Sequence, residues 1–216
     1  MTPRRRGGPG KRSDGADTKE RLLKAAIETL CGAGFSGASA RAIAANGGVN
    51  QALVFYHFGS VNDLLLEALA SVGRARMADY TAALAEVSSL EELVAAAKAI
   101  FDEDLDRGYV KVLSELISGA STFPELGPRI WQEIEPWVAF TEEAISRVAA
   151  DSPLGAVVPV PDLAFGIVAL YLGLELLAHL KGEHRDVDSL FSAVKQMAEM
   201  MSAFVPGVRA RGDDPR

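Results

Sequence analysis

The segment ARAIAANGGVNQALVFYHF at 40–58 holds the residues best suited to chemistry. It places a small residue, Ala44, four positions before Gly48, with Ile43, Val49 and Val54 at offsets that fill the wedge between two short helices. Helices meeting near a right angle need a small residue where they touch and a glycine where the chain turns with positive φ. The second helix of such a pair, read as 50–56, presents its first residues outward, the arrangement that lets a helix read base edges in a major groove. Gln51 can pair bidentately with adenine, and Ala52 and Leu53 allow close approach to a thymine methyl. Asn50 either pairs with a base or caps the helix, and capping is the preferred reading. Tyr56 and His57 at the helix end, with Ser39 and Arg41 around the start of the preceding helix, suit phosphate contacts. An ordinary helical hairpin with a glycine turn fits the same spacing. A core position fits Tyr56, His57 and Phe58 equally well, Phe58 above all, and Lys19 and Arg21 read as a solvated helix face, with phosphate contact as the lesser reading.

Other chemistries find little to work with. There is no G-x-S-x-G elbow, H-E-x-x-H or C-x-x-C, and none of the three histidines has an evident nucleophile partner. Glu175, His179 and Glu183 follow one face at four-residue spacing, but Gly182 ends the helix before the third, so a metal reading is set aside. GGPGKRS at 7–13 resembles a phosphate loop but lacks its first glycine and a preceding strand. Cys31, the single cysteine, reads as a small buried apolar residue. The expectation is a protein that is not an enzyme, with no cofactor and no metal.

The elements that must position these residues all read as helices. Leu22, Leu23, Ala26, Ile27 and Leu30 form one apolar stripe opening near Asp17 or Thr18 and stopping at Gly32/Gly34. Ser39 caps a short helix over 40–46. A long helix runs from about 61 to 86, and further helices are predicted near 89–106, 109–119, 124–150, 162–181 and 186–204. Prolines at 124, 153, 159, 161 and 206 mark breaks, while Pro128 and Pro136 predict a kink or split in 124–150. No strand signal or internal repeat is present. The predicted fold is all-α, about nine helices: a basic arm over 1–16, a three-helix helix-turn-helix domain over 17–62, a larger helical regulatory domain over 63–206 and a tail over 207–216.

Charge distribution agrees with a polyanion at one end. The 216 residues carry a net charge of −7, yet residues 1–60 hold nine Lys/Arg against four acids, so the acidic excess lies wholly in the remainder. A basic leader that merely aids solubility fits those numbers too. The 49% hydrophobic content supports a packed core, and the single cysteine fits a reducing compartment. The start lacks a signal pattern. The longest apolar run, Leu163–Leu174, is shorter than the roughly 20 residues of a membrane span. A soluble cytoplasmic protein without membrane contact is expected.

Residues 18–66 resemble the N-terminal domain of the TetR family of transcriptional regulators. The resemblance rests on Ala25-Ala26 and Leu30, Gly34-Phe35, Ser39, Arg41, Ile43-Ala44, Gly48-Val49, Tyr56-His57-Phe58-Gly59-Ser60 and Asp63-Leu64, in unbroken order and spacing. Two positions depart from it: Val61 stands where the family usually has lysine, and Phe55 where it commonly has tyrosine. Both losses remove backbone contacts, which lowers affinity without changing base choice. Arg4, Arg5 and Arg6, with Lys11 and Arg12, could compensate from the arm.

One helix-turn-helix reads only a few base pairs, so the motif predicts a homodimer on a palindromic double-stranded DNA operator. The two C-terminal helices are the expected interface, through Phe165, Val168, Tyr171, Leu174, Glu175, Leu190, Phe191, Val194, Met197 and Met201. About half of these suit an intramolecular core instead. The resemblance implies a small-molecule pocket among the central helices, where the bulky residues are Phe101, Tyr109, Leu113, Trp131, Trp137 and Phe140. Aromatics at helical spacing are more often core than ligand box. The expected function is a sequence-specific DNA-binding regulator, a repressor released by a small apolar ligand. The rival is an all-helical carrier or enzyme for an apolar small molecule.

Overall fold

The computed structural model describes residues 10–107, 109–149, 159–182 and 184–204, with side chains over 15–105, 109–148, 159–182 and 184–200. The described residues are helical throughout, without a strand: α1 Gly10–Gly37, α2 Ala40–Asn46, α3 Ala52–Phe58, α4 Val61–Ala83, α5 Leu90–Arg107, α6 Tyr109–Ala120, α7 Leu126–Ala149, α8 Val160–Lys181 and α9 Arg185–Phe204. Most predicted ranges agree within two or three residues. Three differences carry physical content. Helix α1 begins at Gly10, not at Asp17, so part of the expected arm is helical. The recognition helix starts two residues late, because Asn50 and Gln51 form the turn that caps it. Pro136 is accommodated within a continuous α7. The expected loop over 151–161 falls almost entirely outside the described residues, as do Arg4, Arg5, Arg6 and the 207–216 tail.

Two compact units emerge, and they do not follow chain order. The first holds residues up to Ala75 together with Lys111–Glu133; the second holds Arg76–Val110 and the chain from Ile134. The expected boundary at 62–63 therefore falls inside the first unit, and α4, α6 and α7 each run from one unit into the other.

In the first unit, Leu22, Ala25, Ala26 and Leu30 of α1 are buried with Ile43 and Ala44 of α2, Val54 of α3 and Leu64, Leu65, Ala68 and Leu69 of α4. Each large member is worth roughly 1.5–3 kcal/mol on burial. Helix α1 breaks at Gly34, whose φ of 71° favours glycine. The Phe35 N–H beyond the break donates to Glu115 Oε2 at 2.9 Å, and the Phe35 ring lies over Gly119 of α6. A β-carbon at Gly119 would meet that ring at 2.4 Å. Gly119→Ala is therefore expected to cost about 1–3 kcal/mol by overpacking, read as a lower denaturation midpoint.

The second unit is built on aromatic side chains. Tyr80, Leu84, Ile100 and Ala144 form one buried group with Trp137 and Phe140 against it; Phe101, Ala178 and Val187 form another with Tyr171, Leu174 and Phe191. Three charged residues are buried here as well: Arg76, Asp104 and Glu175. By length and composition α8 could cross a membrane, with mean hydropathy 1.9 over its best window. This corrects the count that stopped at Leu174, since the helix stays apolar on either side of Glu175. Glu175 and Ala178 are nevertheless buried, and the wall of α8 bearing Tyr171, Leu174 and Ala178 packs on Phe101.

Candidate nucleic-acid interface

The helix pair at 40–58 is assembled by backbone geometry that the sequence dictates locally. Ser39 starts α2, its hydroxyl accepting the Ala42 N–H at 3.2 Å. Gly48 turns the chain with φ 61°, and the Val49 N–H donates to Ala44 O at 2.9 Å. Asn50 Oδ1 accepts the Ala52 N–H at 2.8 Å, which is the capping role, and opens α3. Val54 is fully buried and fastens α3 to the core. Gly59, at φ 81°, ends α3. Ser60 then opens α4: its Oγ accepts the Asp63 N–H at 3.0 Å while its hydroxyl donates to Asp63 Oδ2 at 2.5 Å. Arg129 holds the other oxygen of Asp63 at 2.8 Å. The Ser60 hydroxyl first, then Arg129, hold the Asp63 carboxyl below its usual range.

The outward face of α3 is thereby settled. Gln51, Ala52, Phe55 and Tyr56 are exposed, Tyr56 at 81%. Leu53 is half-buried, so it is not fully presented as expected. His57 is also half-buried, edge-on to Tyr56 with ring centroids 5.0 Å apart. Phe58 is half-buried beneath Lys19, whose ammonium lies 5.5 Å from the ring centroid, so Lys19 is not simply solvated. Ser39 and Arg41 are exposed on the same short segment. Phe55, at the position where the resemblance expects tyrosine, is half-exposed and offers only an apolar edge.

One residue read from the sequence as part of a solvated helix face is bonded to the turn instead. Arg21 on α1 donates from Nη2 to Gly47 O at 2.7 Å and to Gly48 O at 3.2 Å. Asn46, the last residue of α2, also reaches α1, donating to Ala25 O at 3.2 Å, Glu28 Oε2 at 3.2 Å and Thr29 Oγ1 at 3.3 Å. Arg21, Ala25, Glu28 and Thr29 share one helical face, a spacing visible in the sequence, but nothing in it names their partners.

The six residues expected to line a pocket are divided between the two units. Trp137 and Phe140 pack on Tyr80, Tyr109 lies 5.7 Å from Trp137 by ring centroids, and Phe101 is fully buried in a separate group with Tyr171 and Phe191. Leu113 and Trp131 belong to the first unit, and Trp131 is 44% exposed. Leu113 is buried and Trp131 is exposed. Clefts on the first unit, one lined by Asp63, Glu67, Arg129 and Glu133 and another by Leu23, Lys24 and Ile27, include none of the six.

The expected interface residues divide in two. Phe165, Val194 and Met197 are exposed, and Val168 and Leu190 half-buried. Tyr171, Leu174 and Phe191 pack inward on Phe101, and Glu175 is 4% exposed, so these four serve the subunit's own core. The Met201 side chain lies outside the described residues. Leu170, Leu177 and Leu180 of α8 and Met200 of α9 are exposed and were missed; α8 is apolar nearly all round, which hides its outer face. Glu175 and His179 do not share a site, the first being buried and the second exposed. Among the described residues no group of His, Cys, Asp and Glu could hold a metal. Burial pushes the Cys31 thiol up, in keeping with a half-buried apolar role.

A helix-turn-helix whose second helix is exposed is the geometry that helix-turn-helix DNA-binding domains share. Residues 22–68 match the family described as bacterial regulatory proteins, tetR family. Over those residues the chain is similar to the DNA-binding domain of that family. Over 111 residues, 51% of this chain, it is 32% identical to uncharacterized HTH-type transcriptional regulators of Mycobacterium bovis and Mycobacterium tuberculosis, aligning with 56% of each. The chain thus spans about half the length of the curated relatives it matches. Among solved structures, the fatty acid degradation regulator FadR from Bacillus halodurans superposes with a TM-score of 0.70 at 15% identity, covering 96% of this chain and 100% of that one. The regulatory protein TetR from Rhodobacter sphaeroides gives 0.70 at 16% identity, over 83% and 97%. The multidrug binding protein EbrR complexed with imidazole gives 0.59 at 22% identity, over 90% and 98%. At these identities the likeness is one of fold.

Proposed function

We propose that the chain is a cytoplasmic, homodimeric transcriptional regulator that binds a palindromic operator and releases it when a small apolar ligand occupies the second unit. The observation that carries the reading is the outward face of α3, where Gln51, Ala52, Phe55 and Tyr56 are exposed while Val54 is fully buried and Leu53, His57 and Phe58 are half-buried. A helix fastened on one side and bare on the other is what a major groove accepts. Dimerisation is supported by the apolar outer face of α8 and α9, with Phe165, Leu170, Leu177, Met197 and Met200 exposed and Leu180 82% exposed. Large apolar side chains exposed along two helices suit an interaction surface. Ligand binding draws support from the fatty acid degradation regulator and the multidrug binding protein that share the fold. Helix α4, which starts at the recognition head and continues into the second unit, is the lever in this reading. A ligand acts only through its different affinity for the two operator spacings, so ligand and DNA must oppose each other reciprocally.

A salt-dependent, sequence-selective gel shift on the gene's own upstream DNA tests the proposal. A shift indifferent to sequence, or none, overturns it. Gln51→Ala is expected to change preference at one base position by about 1–3 kcal/mol. Arg41→Ala is expected to weaken all sequences alike and to flatten the salt slope by about one. Competition among single-base operator variants, repeated at several salt concentrations, separates the two effects.

A further inference from the structure

Helix α2 is only seven residues long, too short to hold itself, and its C-terminal carbonyls point into the turn that sets the angle of α3. Those carbonyls carry the negative end of the helix dipole, where a cation is favoured. The Arg21 guanidinium reaches exactly that end from the neighbouring helix, with Nη2 shared between Gly47 O at 2.7 Å and Gly48 O at 3.2 Å. The turn is built to admit it. A β-carbon at Gly48 would lie 3.3 Å from Arg21 Nη2, in a backbone conformation that already disfavours any side chain, and one at Gly47 would press on Ala25 at 3.2 Å. One helical turn further along α1, Asn46 Nδ2 donates to Ala25 O. The two contacts hold the end of α2 from the same face of α1.

We infer that Arg21 is a positioning residue for DNA recognition, clamping the Gly47-Gly48 turn from α1 so that α3 is presented at a fixed angle. The inference rests on the proposed DNA-binding function and adds to it a residue outside the helix pair. Arg21 acts through the turn, not on phosphate, and this separates it from Arg41. A charge-assisted hydrogen bond to a carbonyl fixes geometry, while a phosphate contact releases counterions.

The full-length chain and its Arg21→Ala, Arg21→Lys and Arg41→Ala variants are compared on the selected upstream DNA at several salt concentrations. Arg21→Ala is expected to lose about tenfold in affinity for every sequence while keeping the wild-type salt slope. Arg21→Lys recovers part of the loss, because one ammonium can still reach a carbonyl. A slope reduced by about one in Arg21→Ala, as for Arg41→Ala, makes Arg21 a phosphate contact and overturns the inference, as does undiminished affinity. Native-state amide exchange supplies a reading that needs no DNA: the Val49 amide, bonded to Ala44 O, is expected to exchange faster in Arg21→Ala while that of Val112 in α6 is unchanged. Equal protection of Val49 in both proteins refutes the clamp. If the wild-type chain shows no selective shift, the proposed function fails while the exchange experiment still judges the clamp.

Discussion

Asp104→Ala is expected to destabilise the protein by about 3–5 kcal/mol, enough to unfold a typical domain at modest temperature. The Asp104 side chain is almost completely enclosed and forms an ion pair with Arg76, itself 4% exposed. Tyr171 donates its hydroxyl to Asp104 Oδ2 at 2.5 Å, and the Tyr80 and Tyr171 hydroxyls are 3.2 Å apart. Removing the carboxylate strips a buried guanidinium of its enclosed partner, leaving the half-exposed Asp79 at 3.2 Å, and takes from the Tyr171 hydroxyl its carboxylate acceptor. The cost is that of an uncompensated buried charge, not of the lost attraction alone. The matched control removes both charges: Arg76→Met with Asp104→Leu should recover most of the loss. Urea midpoints for the two variants and the wild type measure this. Equal destabilisation by the single and double variants would sink the argument.

The second large effect depends on pH. Glu175 is buried beside the same network, and its Oε1 has no hydrogen-bond partner among the described residues. Burial pushes its carboxyl up to about 7, against the downward pull of the Tyr171 hydroxyl and the Arg76 guanidinium. Burial first, and then the Glu175 charge, push the Tyr171 hydroxyl up in turn, so Tyr171 stays protonated and only Glu175 titrates in the neutral range. A folded-state pKa raised above the unfolded value gives a contribution fully present below the ordinary carboxylate pKa and lost as pH rises through about 7. The loss amounts to about 3 kcal/mol between pH 4 and pH 8. Glu175→Gln abolishes it. The variant is expected to match the wild type near pH 4 and to exceed it by about that amount at pH 8. Denaturant midpoints across the range decide the matter, and a difference that does not vary with pH would mean the carboxyl is effectively solvated.

The recognition head was largely legible in the sequence because its determinants are local. Ser39 caps three residues ahead, Asn50 caps two ahead, and Gly48 is required by a backbone angle set within the turn. Ala44 and Val54 follow from the space between two crossing helices. What stayed hidden pairs residues far apart in the chain. Arg21 reaches Gly47, Glu115 reaches Phe35, and Arg76 meets Asp104 across a loop. Periodicity identifies which face of a helix is apolar; it does not say which polar residue of that face finds a distant partner. Helix α8 defeats even the first step. With apolar residues on every side, it gave no basis for separating Tyr171 and Leu174, which face the core, from Leu177 and Leu180, which do not. Glu175, the one acid in the run, read as interface for the same reason.

Only Gly59 and Ser60 separate α3 from α4, and both are committed: the glycine to a left-handed stop, the serine to the cap of the next helix. That joint has no slack. A reading head transplanted onto a foreign body should therefore carry its stretch of α4 to Ala75, together with the Lys111–Glu133 segment that completes the first unit. A splice at the Gly59-Ser60 hinge would change the pitch of the reading surface with every residue added or dropped.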